Sequence, residues 1–191
     1  MRYEKGHKEA TRHRILDVAS ASFRKDGIAA VGLAGIMGDA GLTHGGFYAH
    51  FKSKEELVAE AASSALALTQ AALAKAAETG ASPIESLIRY YLRPAHRDTP
   101  DKGCAAAALI AEIARHSLET RKLFTQHLEG LIGLVASLLP KGDSDSRRQR
   151  ATALFALMMG SLQMARAVPD RASSDLILQS GIEAALALVE A

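Results

Sequence analysis

Of 191 residues, 48% are hydrophobic and 23% charged, a balance that excludes a disordered chain and leaves enough length for a buried core. Alanine fills 37 positions against five prolines and no tryptophan, which favours helix over strand. A single cysteine excludes an intramolecular disulfide framework and a Cys-rich zinc site, and a formal charge of +2 is too small for coating nucleic acid through bulk charge.

The N-terminus, MRYEKGHKEATRHR, has no apolar core and so does not read as a signal peptide. The longest stretch without a charged residue, Ala151 to Ala165, has fifteen residues including Thr, Ser and Gln, too short and too polar to span a bilayer. The expectation is a cytoplasmic protein with no membrane partner and a reduced thiol. Residues 1–54 hold nine Lys or Arg against five Asp or Glu, whereas residues 55–191 hold fourteen against sixteen. The near-neutral total therefore averages a basic head, which also contains His7, His13, His44 and His50, with a mildly acidic remainder.

In chain order, Ile15, Val18, Ala19 and Phe23 recur at helical spacing, predicting a first helix over 8–26 that stops at Gly27. A short helix follows over 33–40, with Leu33, Ile36, Met37 and Ala40 inward, and Gly41 ends it. Thr43 predicts the cap of a third short helix over 43–51. Ser53-Lys54-Glu55-Glu56 is a capping box opening a long fourth helix that keeps its period until Gly80. Ser82-Pro83-Ile84-Glu85 opens another to about Arg93, and Pro94 to Gly103 reads as a loop. Helices over 104–116, 118–139, 145–167 and 171–189 complete the chain. No segment alternates as a strand would, so the fold class is all-α with about nine helices.

Residues 33–51, LAGIMGDAGLTHGGFYAHF, place two short helices around a tight turn at Gly41-Leu42. A helix-turn-helix reader needs this arrangement: one helix braces the other, which must be short enough for a major groove about 12 Å wide. Leu42 and Phe47 point inward, and Thr43, His44, Gly45 and Gly46 form the exposed start of the reading helix. Two consecutive glycines there weaken a helix and make sense where backbone must approach another surface closely.

Over residues 8–60 the chain is similar to the TetR/AcrR family of bacterial transcriptional regulators, most specifically in GLTHGGFYAHFKSKEEL. The rest resembles that family only in helix number and length. The resemblance implies a DNA-binding domain over 1–53 and a ligand-binding and dimerisation domain over 54–191. It further implies a homodimer on a duplex operator, released when a small-molecule effector binds, and no cofactor. Carried over by position, Thr43, His44, Gly45 and Gly46 face the groove, Tyr48 contacts the DNA backbone and Lys54 clamps a phosphate. His50 matches the family pattern and reads as a packing and orienting residue. Arg2, Lys5, Lys8 and Arg12 are candidates for extra phosphate contacts. The chain departs from the pattern at Val31-Gly32, where the family often has Thr or Ser, and at Ala34, which offers only a methyl group. Base readout then rests on few side chains, and DNA shape carries part of the specificity.

In the remainder, Tyr90, Tyr91, Cys104, Glu112 and His116 are candidates to line a ligand pocket, with His96 and His127 beside them. Phe155, Met158 and Met159 would add an adaptable apolar wall, so the effector is expected to be small and largely apolar. Glu112 and His116 are spaced i, i+4, which suits a metal pair, but a structural hydrogen bond is the simpler reading and no metal is assigned. For the dimer, the last two helices offer Leu154, Leu157, Gly160, Ser161, Met164, Leu178, Gly181, Ala185 and Leu188. Two alternatives stay open: a thiol sensor of oxidants or electrophiles at Cys104, which opens a helix, and a helical protein whose head binds protein. An enzyme is not expected: no nucleophile elbow, phosphate-cradling loop or metal-spaced cluster occurs.

Overall fold

Nine α-helices and two short 3₁₀ segments make up the computed structural model, which describes residues 5–140 and 142–190. Among the described residues there is no strand. Helix α1 (Lys5–Asp26) buries Ile15, Ala19 and Phe23 and ends where Gly27 takes φ +87°. Gly41, at φ +69°, makes the turn after α2 (Leu33–Asp39), and both left-handed positions are ones where a side chain would be strained. The next segment, His44–Ala49, is a 3₁₀ helix rather than the predicted α-helix. Thr43 caps it by position only, since its hydroxyl makes no capping bond. With two glycines in six residues the segment closes on i→i+3 bonds, Gly46 N–H to Thr43 O at 3.0 Å among them.

Helix α3 (Lys54–Ala77) begins at the expected box: Ser53 Oγ accepts from the Glu56 amide at 3.1 Å. Glu56 in turn accepts from Lys52 N–H at 2.5 Å, one residue earlier than Ser53's own amide. Helix α4 (Pro83–Tyr91) has Pro83 at its first turn, but Ser82 makes no capping bond and Glu85 pairs with Arg89. The stretch predicted as a loop holds α5 (Pro94–Asp98) and a 3₁₀ turn (Pro100–Lys102), since Pro94 and Pro100 each preset φ for a helical start. Helices α6 (Ala105–Ile113), α7 (Leu118–Leu138), α8 (Ser144–Ala167) and α9 (Arg171–Glu190) follow.

The apolar core is one cluster running from Ile15 to Ala185. It stays continuous because α3 packs on α1 and also on α4, α6 and α7. Helices α3 and α9 are long and apolar enough to cross a membrane by length and composition alone, a test that core helices also pass. Here α3 buries Leu57, Val58, Leu66 and Leu73 in the core.

Helices α8 and α9 pack along each other, and this corrects half of the expected dimer surface. Leu154, Ser161, Leu178, Gly181 and Ala185 are buried within the protomer. A Cβ at Gly181 would stand 2.6 Å from Ser161 Oγ, so the glycine serves the close α8–α9 approach. Leu157 and Gly160 are half-buried, while Met164 and Leu188 are exposed.

Candidate nucleic-acid interface and the cavity behind it

Phe47 is fully buried and anchors the reading segment, stacking on Phe51 with ring centres 5.7 Å apart. Its other neighbour is Tyr48, edge-on at 5.2 Å. That contact leaves the Tyr48 side chain 66% exposed. Thr43, His44 and Gly45 are exposed beside it. A Cβ at Gly45 would meet nothing within 4 Å, and one at Gly46 only ordinary contacts, so internal packing does not account for either glycine. What remains is a short polar edge with small residues and free donors, raised on a rigid apolar base. Such an edge can approach a polyanion backbone and offer hydroxyl, imidazole and phenol groups to it.

Two expected phosphate ligands have internal partners. Lys54 Nζ donates to Ile28 O at 2.8 Å and Val31 O at 2.6 Å, tying the start of α3 to the loop before α2. Arg12 bonds Glu60 and the His50 carbonyl, and its guanidinium lies 4.5 Å from the centre of the Phe51 ring. Lys8 is exposed; Arg2 and the Lys5 side chain lie outside the described residues. His50 is half-buried, and its Nδ1 is enclosed without a hydrogen-bond partner. Burial, then the charges of Lys8 and Arg12, lower its pKa and favour neutral imidazole.

Glu112 and His116, candidates for a ligand pocket, line a separate cavity of about 290 Å³ with Ile28, Ala29 and Glu55; Glu112 ties the head to α6, and His116 ties the start of α3 to the α6–α7 connection. Glu112 Oε2 accepts from the Ala29 amide at 2.9 Å. Glu55 accepts from His116 Nδ1 at 2.8 Å, the Ser117 amide at 3.0 Å and Thr120 Oγ1 at 2.6 Å. Burial pushes the Glu55 carboxyl up, but bonds from Thr120, His116 and Ser117 outweigh it and hold the pKa at about 2.

Behind the head lies a cavity of about 330 Å³. Tyr90, Tyr91, Cys104 and His96, all sequence candidates, line it together with three cations that the sequence did not single out: Arg24, Arg93 and Lys102. Phe155, Met158 and Met159 are not in its lining. Phe155 packs on the far side of Tyr91 with ring centres 5.8 Å apart, Met158 is fully buried and Met159 half-buried. His127, on α7, is also outside the lining. His96 Nδ1 donates to Tyr91 O at 2.6 Å while its Nε2 accepts from the Cys104 amide at 2.9 Å, which fixes a neutral tautomer. Burial lowers its pKa to about 4. Cys104 caps α6 by position and is 1% exposed.

Helical spacing leaves Arg24 off the apolar stripe of Ile15, Val18, Ala19 and Phe23 on α1. Its Nε bonds Ser20 O at 2.9 Å and its Nη1 reaches Gly103 O at 2.8 Å. Only the packing of α1 against α6 and the Pro100–Lys102 turn turns that face inward, and no local pattern marks it.

The family model for bacterial regulatory proteins of the tetR family matches residues 15–61. The HTH-type transcriptional regulator AcrR of Shigella flexneri is 41% identical over 59 residues, 31% of this chain. The match spans only 27% of that protein's length. Among solved structures, a TetR transcriptional regulator from Legionella pneumophila superposes with a TM-score of 0.77 at 20% identity, covering 97% of both chains. The reduced form of E. coli NemR gives 0.75 at 20% identity, covering 92% of this chain and 95% of that one. A TetR-family regulator from Agrobacterium tumefaciens gives 0.74 at 22%, covering 92% and 97%. At these identities the structural likeness establishes the fold.

Proposed function

Because this chain belongs to the TetR/AcrR family of bacterial transcriptional regulators, we propose that it is a homodimeric repressor that leaves a two-fold symmetric operator when a small molecule binds. The observation that carries this is the exposed Thr43–Tyr48 edge, held by buried Phe47 inside the segment that matches the family. Residues 1–53 act as the DNA-binding domain and 54–191 as the effector and dimerisation domain. Thr43 and His44 read base edges, Gly45 and Gly46 let backbone close on the groove, and Tyr48 contacts phosphate. Lys54 and His50 position that edge; Lys54 reaches phosphate only with the N–H left over from Ile28 and Val31.

The dimer forms on the accessible faces of α8 and α9, which carry Ala153, Ala156, Leu157, Gly160 and Met164 on one helix and Leu176 and Leu188 on the other. Small residues there permit close helix approach in a four-helix bundle. Each head then enters a major groove roughly 34–36 Å from its partner. The effector occupies the cavity behind the head. Its 1% exposure gives Cys104 the character of a wall residue there, and the thiol-sensor alternative has less support.

Selection of bound duplexes from a random pool tests this. Enrichment of an inverted repeat, lost in His44→Ala with the dimer intact, supports it. Recovery of unrelated sequences, with affinity set by salt alone, overturns it.

A further inference from the structure

We propose that the cavity behind the head takes a small organic acid, an apolar body bearing one carboxylate, and that Arg24 conveys its arrival to the head. This rests on the effector-release function proposed above and adds the chemical class of the effector and the side chain that couples it.

The inner wall is apolar: Leu68, Ala72 and Leu73 of α3 face Tyr90 and Tyr91 of α4. The polar part is cationic. Arg24, Arg93 and Lys102 line the cavity and no Asp or Glu does. Among the described residues none of the three has an ion pair, whereas Arg97 and Arg171, on an adjoining cleft that Arg24 also borders, share Asp98 and Asp175. Asp101 acts on Arg24 through space but forms no ion pair with it. Arg24 is desolvated and satisfied only by the Ser20 and Gly103 carbonyls. Arg93 lies over the Tyr90 ring, 3.5 Å from its centre, and bonds the Tyr90 carbonyl. Partly buried guanidinium groups without a counter-charge favour an anion that brings one.

A second observation is independent of charge. The Tyr91 hydroxyl is enclosed and has no hydrogen-bond partner. Burial and the neighbouring Cys104 thiol keep this phenol protonated; that sulfur is only a weak acceptor, so the donor has no oxygen or nitrogen partner. His96 does not supply one, because both its ring nitrogens are engaged. A carboxylate oxygen would. At about 330 Å³ the cavity is about twice an engineered cavity of roughly 150 Å³ that holds benzene, enough for an aromatic or short aliphatic acid.

Coupling follows from where Arg24 is rooted. It belongs to α1, the first helix of the head, and its Nη1 ends on Gly103 O, two residues before α6 begins. A guanidinium that turns toward a carboxylate weakens that bond and loosens the head from α6.

The test uses matched pairs on the full chain: benzoate and benzamide, 1-naphthoate and 1-naphthamide, octanoate and octanamide. Calorimetry reads binding and a gel shift on the selected operator reads release. The acids are expected to bind at least about ten-fold tighter than their amides, and Arg93→Gln and Tyr91→Phe each to remove about ten-fold of acid affinity. Arg24→Gln is expected to lose release more than binding. Lys102→Glu, exposed at the mouth, should also weaken the acids and covers the case where Arg24→Gln does not fold. Amides that equal the acids in binding and release overturn the anion assignment and leave effector release standing. If no compound of either class binds or frees an operator that the protein holds, both fall.

Discussion

Lys54 separates two roles that the residue type alone does not. Replacing it with Met keeps the apolar stem and removes the ammonium that Ile28 O and Val31 O accept from, at 2.8 and 2.6 Å. A hydrogen bond from a charged group contributes about 1.5–3 kcal/mol. Two are lost, but Lys54 is only half-buried and water recovers part of both, so the expected destabilisation is about 2 kcal/mol. For a chain of this size that lowers Tm by roughly 4–8 °C. Urea and thermal melts of Lys54→Met read it directly, with Lys54→Arg as a charge-keeping control. In parallel, the salt dependence of operator affinity counts phosphate contacts. A lysine acting purely as a phosphate clamp would leave both melts unchanged and reduce the salt slope by about one. Unaltered melts therefore refute the tie between α3 and the α1–α2 loop.

His44→Ala should weaken specific operator binding by about ten-fold or more and Tyr48→Phe should weaken all sequences alike; equal affinity of either variant in a gel shift contradicts the assigned roles. Gly27→Ala places a side chain at φ +87° and 3.1 Å from Glu112 Oε1, which should cost about 1–2 kcal/mol in a denaturant titration. Met164→Asp should give a folded monomer in sedimentation, whereas Leu178→Asp, buried between α8 and α9, should unfold the protomer; a dimeric Met164→Asp moves the interface elsewhere. His96 has a folded pKa near 4, below an unfolded value of about 6.5, so its contribution is complete above pH 6.5 and is lost as pH falls toward 4. At about 1.4 kcal/mol per unit that loss reaches at most roughly 3 kcal/mol. An NMR titration in which every histidine protonates near pH 6.5 would contradict it.

Reading the sequence worked where local chemistry decides the outcome. Gly27, Gly41 and the Ser53–Glu56 box end or begin helices through groups within four residues of each other, and each did so as expected. The exposed edge was legible for the same reason, since Phe47 is the buried residue of one short segment. It was less legible how tightly that segment winds, because two glycines and an unbonded Thr43 leave the choice of 3₁₀ to packing beneath Phe47. The pocket was legible only in part. Tyr90, Tyr91 and Cys104 arrive from sequence neighbours of the α4–α6 connection, whereas Arg24 arrives from eighty residues away, where its own helix pattern assigns it to solvent. Glu112 lies on α6 and reaches Ala29, but that helix ends at Ile113, so His116 falls in the turn beyond it and reaches Glu55. In α8 and α9 the period marks two apolar faces of similar composition. Which one meets the partner helix of the same chain is settled by Gly181 against Ser161, a contact between residues that no local rule pairs.

One bond, Arg24 Nη1 to Gly103 O, has a consequence for how affinities are measured. If that bond couples the cavity to the head, as proposed, linkage makes the two binding equilibria reciprocal. Whatever factor a cavity occupant takes from DNA affinity, DNA must take from the occupant's affinity. An occupant dissociation constant obtained without DNA is then a limiting value, and it should weaken steadily as operator is added, by the same factor that the occupant weakens the operator complex.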